Sequence, residues 1–196
     1  MGMKILHPEL EKVIRSFEAQ QEKRFRKEYA FVGGKNEEKA PEAIGFLTVV
    51  ATDAETGEIR QIEHGENMVV KLGRSALAHL LAGSQVSNHI VVAMMFGDGT
   101  GTVSVNDTGL FGGVIQMAGG ANNKPVTIDF PDSGGDDMKV RFTAVVNADE
   151  GNGGGTQTYQ EACLVKGNNA IFSHKVTGAI TKDNTVVLTA AWTYIF

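Results

Sequence analysis

Residues 159–176 read YQEACLVKGNNAIFSHKV, and this stretch decides the fold class. Two segments rich in apolar and β-branched residues, Tyr159 to Val165 and Ala170 to Val176, flank the turn sequence Lys166-Gly167-Asn168-Asn169. Gly and Asn tolerate the positive φ that tight hairpin turns require. The stretch therefore predicts an antiparallel β-hairpin.

The segments on either side of this hairpin alternate between apolar and polar residues, which is typical of strands with one buried face. The alternating segments run from Met138 to Val146 and from Thr185 to Phe196. Their apolar positions are Met138, Val140, Phe142, Ala144 and Val146 in the first and Val186, Leu188, Ala190, Trp192 and Tyr194 in the second.

Strand signals also occur nearer the N-terminus. Phe46 to Thr52 precedes the turn sequence DAETG at residues 53–57, and residues 58–63 are the expected hairpin partner. Ile90 to Phe96 is a continuous apolar run, as expected for a strand covered on both faces. Antiparallel strands at this spacing, without a βαβ rhythm, predict a mainly β fold, an antiparallel, jelly-roll-like β-sandwich over residues 41–196.

An N-terminal arm, residues 1–40, is predicted to precede this body and to contain a charged amphipathic helix over residues 8–31. Pro8 suits the first helical position, and acidic residues come early and basic residues late in the segment. Its apolar positions are Leu10, Ile14, Phe17 and Phe25. Such a narrow stripe buries little by itself, so the helix either packs along its own body or docks on a neighbouring subunit. We treat these four residues as the candidate assembly interface.

A second, short helix is predicted from the spacing of its leucines. Leu72, Ala76, Leu77, Leu80 and Leu81 share one face, and Gly83 stands at the position that ends a helix. The pattern predicts a helix that turns its leucines toward the core.

Composition excludes several functional classes. The net charge of −5 argues against nucleic acid as a partner, because that affinity needs a cationic surface. Cys163 is the only cysteine, so an intrachain disulfide and a multi-cysteine zinc site are impossible. The sequence has no apolar run of the roughly 20 residues that span a bilayer, and its N-terminus is not expected to be a secretory signal. Neither a membrane partner nor a cofactor is expected.

Catalytic and metal-binding patterns are sparse. Residues 97–123 contain eight glycines and predict a long loop, and residues 149–155 predict a flexible loop tip. Asp98 is the one residue there that fits a calcium loop, and a tight turn is the favoured interpretation. Asp132, Asp136 and Asp137 form an acidic patch that could bind a cation or hydrolyse sugars, and a solvated turn is the favoured interpretation. No nucleophile has a recognisable base, so no enzymatic activity is expected.

Several segments resemble a pattern found in virion proteins of tailed bacteriophages. Residues 67–83, NMVVKLGRSALAHLLAG, are similar to an N-x-V-V strand that leads into a G-R-x-x-L-x-x-L-L-A-G helix. Residues 90–100 resemble I-x-x-M-x-F-G-x-G-T, and Asp107, Thr108 and Leu110 match D-T-x-L. Glu161-Ala-Cys-Leu stands where those proteins have E-A-G-L-F, with Cys163 in place of Gly. Residues 170–177 resemble x-x-F-A-R-x-x-F, and the final strand matches L-x-x-x-W-x-x-x-F at Leu188, Trp192 and Phe196.

The resemblance implies a structural protein of the phage particle, in the tail, collar, baseplate or head surface, assembled in the host cytoplasm and located in the virion. Its partners would be itself, as a trimer or ring, and other virion proteins. Two alternatives stay open. One is a receptor- or glycan-binding module on the virion, although the aromatic candidates Tyr159, Trp192 and Tyr194 lie in apparent core strands. The other is an enzyme that uses the acidic loops.

Overall fold

Two antiparallel five-stranded sheets form the body of the protein in a computed structural model, which describes residues 8–30, 44–83, 87–131 and 139–195, with the backbone alone at residues 25–30, 44 and 87. The elements in chain order are α1 (Pro8–Ala30), β1 (Ile44–Asp53), β2 (Ile59–Glu66), β3 (Met68–Val69), α2 (Lys71–Leu81), β4 (Val91–Gly97), β5 (Lys124–Pro125), β6 (Thr127–Asp129), β7 (Lys139–Val146), β8 (Gln157–Lys166), β9 (Ile171–Lys182) and β10 (Val186–Ile195). Short 3-10 turns occupy Ser87–His89 and Ala118–Gly120. The first sheet has the order β2-β1-β10-β7-β6 and the second has the order β3-β9-β8-β4-β5.

The main core lies between the two sheets, as the alternating strands predict. This core contains all five apolar positions predicted for β10 and three of those predicted for β7, namely Phe142, Ala144 and Val146. Val140 of β7 packs against the core. The second sheet contributes residues such as Phe96, Leu164 and Phe172 to the same cluster. The predicted mainly β, antiparallel sandwich is therefore confirmed; Met138 lies outside the described residues.

The β8–β9 hairpin closes at the predicted turn. The N–H of Asn169 donates to the carbonyl of Lys166 at 2.8 Å, and Asn169 has a φ of 62°. Asn is one of the few residues other than Gly that adopt this conformation readily. The strand that follows is longer than predicted, because β9 continues to Lys182 and reaches β2, where the N–H of Gly178 donates to Glu63.

Strands β5 and β6 were not predicted. They contain two and three residues, too few to show any periodicity. β5 pairs with β4 and β6 pairs with β7, so the chain passes from the second sheet to the first at Val126.

Both predicted helices form, and α1 lies on the outer face of the first sheet. Leu10 and Ile14 pack there with Val50 of β1 and Ala191 of β10. Among the described residues, no helix combines the length and the apolar character needed to cross a membrane.

The prediction that α2 faces the core is confirmed for Ala76 and Leu77, which belong to the main core or pack against it, and is wrong for the other three leucines. Only Gly73 and Ala76 of this helix are buried, whereas Leu72 and Leu80 are each 37% exposed and Leu81 is 89% exposed. A Cβ at Gly73 would lie 2.0 Å from the carbonyl oxygen of Phe172. The helix thus approaches β9 through its small residues, and this close packing leaves Leu72, Leu80 and Leu81 exposed.

Candidate functional site

A buried polar cluster lies beneath the glycine-rich loop on the outer face of the second sheet. It consists of Asp107 from the loop, Glu161 from β8 and His174 from β9, and we call it the loop clamp. Nδ1 of His174 lies 2.8 Å from an Asp107 carboxylate oxygen, and Nε2 lies 3.0 Å from a Glu161 carboxylate oxygen. The side chains of Glu161 and His174 are fully buried.

Glu161 holds the loop through backbone amides. The N–H groups of Gly99, Phe111 and Gly112 donate to its carboxylate at 3.0, 2.8 and 2.8 Å. A Cβ at Gly99 would lie 2.1 Å from the backbone nitrogen of Gly112, so the two loop segments touch directly above Glu161. Asp98 adds a further contact, because its carboxylate accepts a hydrogen bond from the N–H of Gly113 at 2.7 Å.

Each of the two contacts of His174, at Nδ1 with Asp107 and at Nε2 with Glu161, needs one proton to form a hydrogen bond. An ionised carboxylate only accepts hydrogen bonds, so both contacts are satisfied when both ring nitrogens are protonated or when one carboxyl group is. Cys163 pairs with His174 across the β8–β9 ladder. Burial, together with the charges of Glu161 and Asp107, raises the pKa of the Cys163 thiol, so it is not an activated nucleophile.

The hydrogen bonds of the loop clamp hold the glycine-rich loop on the second sheet. Every polar group of Glu161 and His174 that would act on a substrate already bonds to the protein, and both side chains are closed off from solvent. Within the described ranges, no group of three His, Cys, Asp or Glu side chains is arranged to hold a metal ion. The predicted acidic patch, Asp132, Asp136 and Asp137, lies outside those ranges.

The segments that carry the family resemblance contact one another. Asp107, Glu161 and His174 come from three of them and meet in the loop clamp. Asn67, from a fourth segment, donates a hydrogen bond to Ser173 and another to the hydroxyl of Tyr194, at 3.1 Å in the second case. These segments are therefore parts of one packing arrangement.

The predicted assembly interface falls on α1. Leu10 and Ile14 are buried against the body of the same chain, so in this conformation the first alternative, packing along the body, describes them. Phe17 stacks on His64 of β2, with ring centroids 4.4 Å apart and planes 16° apart. Phe25 belongs to the helix, but its side chain lies outside the described part. Docking on a neighbouring subunit stays a prediction.

Charge completes the contact between α1 and the first sheet. Arg141 of β7 is 1% exposed, and it donates two hydrogen bonds of 2.8 Å to Glu18 and longer ones to Glu11. Thr193 also donates to Glu18, and Lys139 donates to Glu22 at 2.6 Å. Burial alone would lower the pKa of Arg141, but the bonds to Glu18 outweigh it and the pKa is raised. We call this surface, formed by Val50, Lys139, Arg141, Ala191 and Thr193, the helix-binding face.

Gln21, which interrupts the apolar stripe of α1 in the sequence, contacts His64. Its side-chain nitrogen lies 3.2 Å from Nε2 of His64, and Thr48 lies 2.7 Å from Nδ1. An amide nitrogen only donates, so Nε2 accepts and the proton of the neutral ring is on Nδ1. A polar residue within the stripe thus makes a specific contact to the body.

An apolar cleft of about 300 Å³ opens between α2, the start of β4 and the β6–β7 pair. Leu80, Ile90 and Ile128 are partly exposed at this cleft, while Phe142 and Phe172 belong to the buried core. Leu81 and Phe130, the latter 66% exposed, lie close in sequence to residues that line the cleft. Exposed apolar surface of this kind marks contact sites.

The charged residues at these sites were not identified from the sequence as functional. Glu161, His174 and Arg141 lie within predicted strands, and a titratable side chain inside a strand was the available signal. Tyr159, Trp192 and Tyr194, the aromatic residues considered for glycan binding, are buried as their strands suggested. The chain matches no model of a known protein family, no curated protein and no solved structure.

Proposed function

We propose that this chain is a non-enzymatic structural component of a tailed-bacteriophage particle. It self-assembles and docks on neighbouring virion proteins through its N-terminal arm and loops. The observation that carries this proposal is the mutual contact of the segments that resemble the virion pattern. Asp107, Glu161 and His174 come from three separate segments and meet in the loop clamp, and Asn67, from a fourth segment, donates to Ser173 beside His174.

The physical character of the surface supports an assembly role. The glycine-rich loop is fixed to the sheet by buried hydrogen bonds rather than arranged around an open catalytic group. The apolar cleft and its exposed neighbours Leu81 and Phe130 offer contact area to another protein.

The mass of the full-length protein in solution, measured by light scattering after size exclusion, is the first test. A trimer favours a spike, fibre or decoration protein, and a six- or twelve-fold ring favours the tail or the head–tail junction. A strict monomer contradicts self-assembly by this chain alone and directs the next measurement to mixtures with candidate virion proteins.

Incorporation into particles tests the function itself. Particles purified from cells that express the gene are expected to contain the protein, as detected by mass spectrometry. Ile14→Asp, on the packed side of α1, should reduce incorporation of a folded protein, while Ser16→Asp, on the exposed side, should not. A protein that is abundant in the lysate and absent from the particles would contradict the proposal.

A further inference from the structure

The helix-binding face binds α1 through charges that complement those of the helix. Three carboxylates of the helix, from Glu11, Glu18 and Glu22, meet the two cations of the face, Arg141 and Lys139. The apolar part of the contact is small and is centred on Leu10 and Ile14. Recognition of the helix by this face therefore depends on charge complementarity as well as on apolar contact.

The contact with α1 stabilises this face. Without α1, the guanidinium of Arg141 would lose Glu18 and Glu11, keep Asp129, 3.5 Å away, and be exposed to water. The apolar side chains of Val50 and Ala191 would lose the cover of Leu10 and Ile14. Every copy of the body is therefore more stable with an α1 seated on it, whichever chain supplies that helix.

The connection between helix and body is long enough for a neighbour to supply it. Residues 31–43 join α1 to β1, and a chain of this length spans at most about 45 Å when extended. The radius of gyration expected for a folded chain of this size is about 16 Å. The helix of one copy can therefore reach the helix-binding face of an adjacent copy.

We propose that in the assembled state α1 of one copy occupies the helix-binding face of a second copy. This inference rests on the proposed assembly function and names its contact. The contacts between helix and face are the same whether the helix comes from the same chain or from another. Exchange of α1 between two copies therefore loses no contact at the face. In an assembly, neighbouring copies are close enough for the contact between chains to compete with the contact within one chain.

Mixed cysteine variants test this exchange directly. One preparation carries Ile14→Cys on the helix and the other carries Val50→Cys on the face, and the two residues belong to one apolar cluster. The native Cys163 is buried and its thiol pKa is raised, so it can remain in place. The two preparations are mixed at concentrations where the protein is oligomeric, allowed to equilibrate and then oxidised.

Exchange predicts a disulfide-linked species with twice the mass of the chain that contains one copy of each variant. Ser16→Cys, on the exposed side of the helix, mixed with Val50→Cys is the matched control and should give no such species. The inference is overturned if the Ile14→Cys and Val50→Cys mixture stays uncrosslinked while one chain carrying both substitutions forms an internal disulfide.

A charge exchange provides a second measurement that does not need a disulfide. Glu18→Arg and Arg141→Glu each place like charges together within one chain, whereas a reciprocal pair of the two variants restores both contacts. Native mass spectrometry of the mixture should show a one-to-one heterodimer, and the double variant should behave like the wild type.

If the mixture remains two monomers while the double variant recovers the wild-type stability, α1 docks only on its own body. A failed exchange together with normal incorporation into particles would refute this inference alone, whereas absence from particles would refute the proposed function.

Discussion

At the scale of single residues, Glu161 makes the largest number of different connections on the outer face of the second sheet. It joins three loop amides to His174 from a position that is closed to solvent. We expect Glu161→Ala to lower the free energy of unfolding by about 3 to 5 kcal/mol, because it removes one partner of a buried charged network. Urea denaturation of the variant measures this loss. Hydrogen exchange at Gly99, Phe111 and Gly112 should show that the loop is released.

The control for Glu161 is Glu58, an exposed carboxylate in the turn before β2. Glu58→Ala is expected to change the free energy of unfolding by no more than about 0.5 kcal/mol. Equal effects of the two substitutions would contradict the role assigned to the loop clamp.

His64 makes the stability of the protein depend on pH. Burial, and then the charge of Lys175, lower the pKa of His64 below the ordinary value of 6.5, although Glu66 opposes the shift. The unfolded state therefore binds the proton more readily than the folded state, so this contribution to stability is complete above about pH 6.5 and is lost as the pH falls toward the folded pKa. Wild-type protein should lose more stability between about pH 7 and pH 5 than His64→Gln.

Thermal unfolding at both pH values measures this difference, with His79→Gln as the control. His79 is an exposed histidine on α2 that stacks on His89. Identical pH dependence of the wild type and His64→Gln would show that His64 has no such effect.

At the scale of the elements, Gly73 sets the distance between α2 and β9. A methyl group there would meet the Phe172 carbonyl oxygen at 2.0 Å, so the helix must move to accommodate it. We expect Gly73→Ala to lower the free energy of unfolding by about 1 to 3 kcal/mol, even though alanine favours a helix. Gly109→Ala, at a position with open space around it, is the matched control for denaturation experiments. A neutral or stabilising Gly73→Ala would mean that the helix packs less closely on β9.

The same helix explains which features the sequence could predict. Periodicity correctly indicates that Ala76 and Leu77 face the core, but it does not show the close approach at Gly73, which leaves the other leucines exposed. In β7 and β10 the alternation identified the core positions correctly, because a two-sheet core needs one apolar face per strand. The opposite face of β7 contains Lys139 and Arg141, and the alternation does not show that α1 supplies their carboxylate partners.

The candidate sites were harder to predict because their residues are distant in sequence. The contacts among Asp107, Glu161 and His174 form only when β8, β9 and the glycine-rich loop pack together. No local pattern specifies that Glu161 accepts amides from residues 99, 111 and 112. A charged residue within a strand that becomes buried needs such a partner, and the same holds for Arg141.

At the scale of the whole molecule, two kinds of interaction stabilise the fold. The two sheets share one large apolar core, which includes Leu188 and Trp192. The helix α1 instead lies outside the sandwich, and charges contribute much of its contact with the first sheet. Elements attached in these different ways need not unfold together.

This difference predicts that α1 opens before the sandwich unfolds. In native-state hydrogen exchange, amides of α1 should exchange at a free energy at least about 2 kcal/mol below that of amides in β8 and β10, and with a weaker dependence on urea.

Glu18→Gln should lower the opening free energy of α1 further, because Arg141 then loses its charged partner, and should leave the core amides less affected. Ser16→Ala, on the exposed side of the helix, should change neither value. If α1 and β10 exchange with the same free energy and the same urea dependence, the helix is an integral part of the folding unit. Separate opening would instead give the helix the freedom that exchange between neighbouring copies requires.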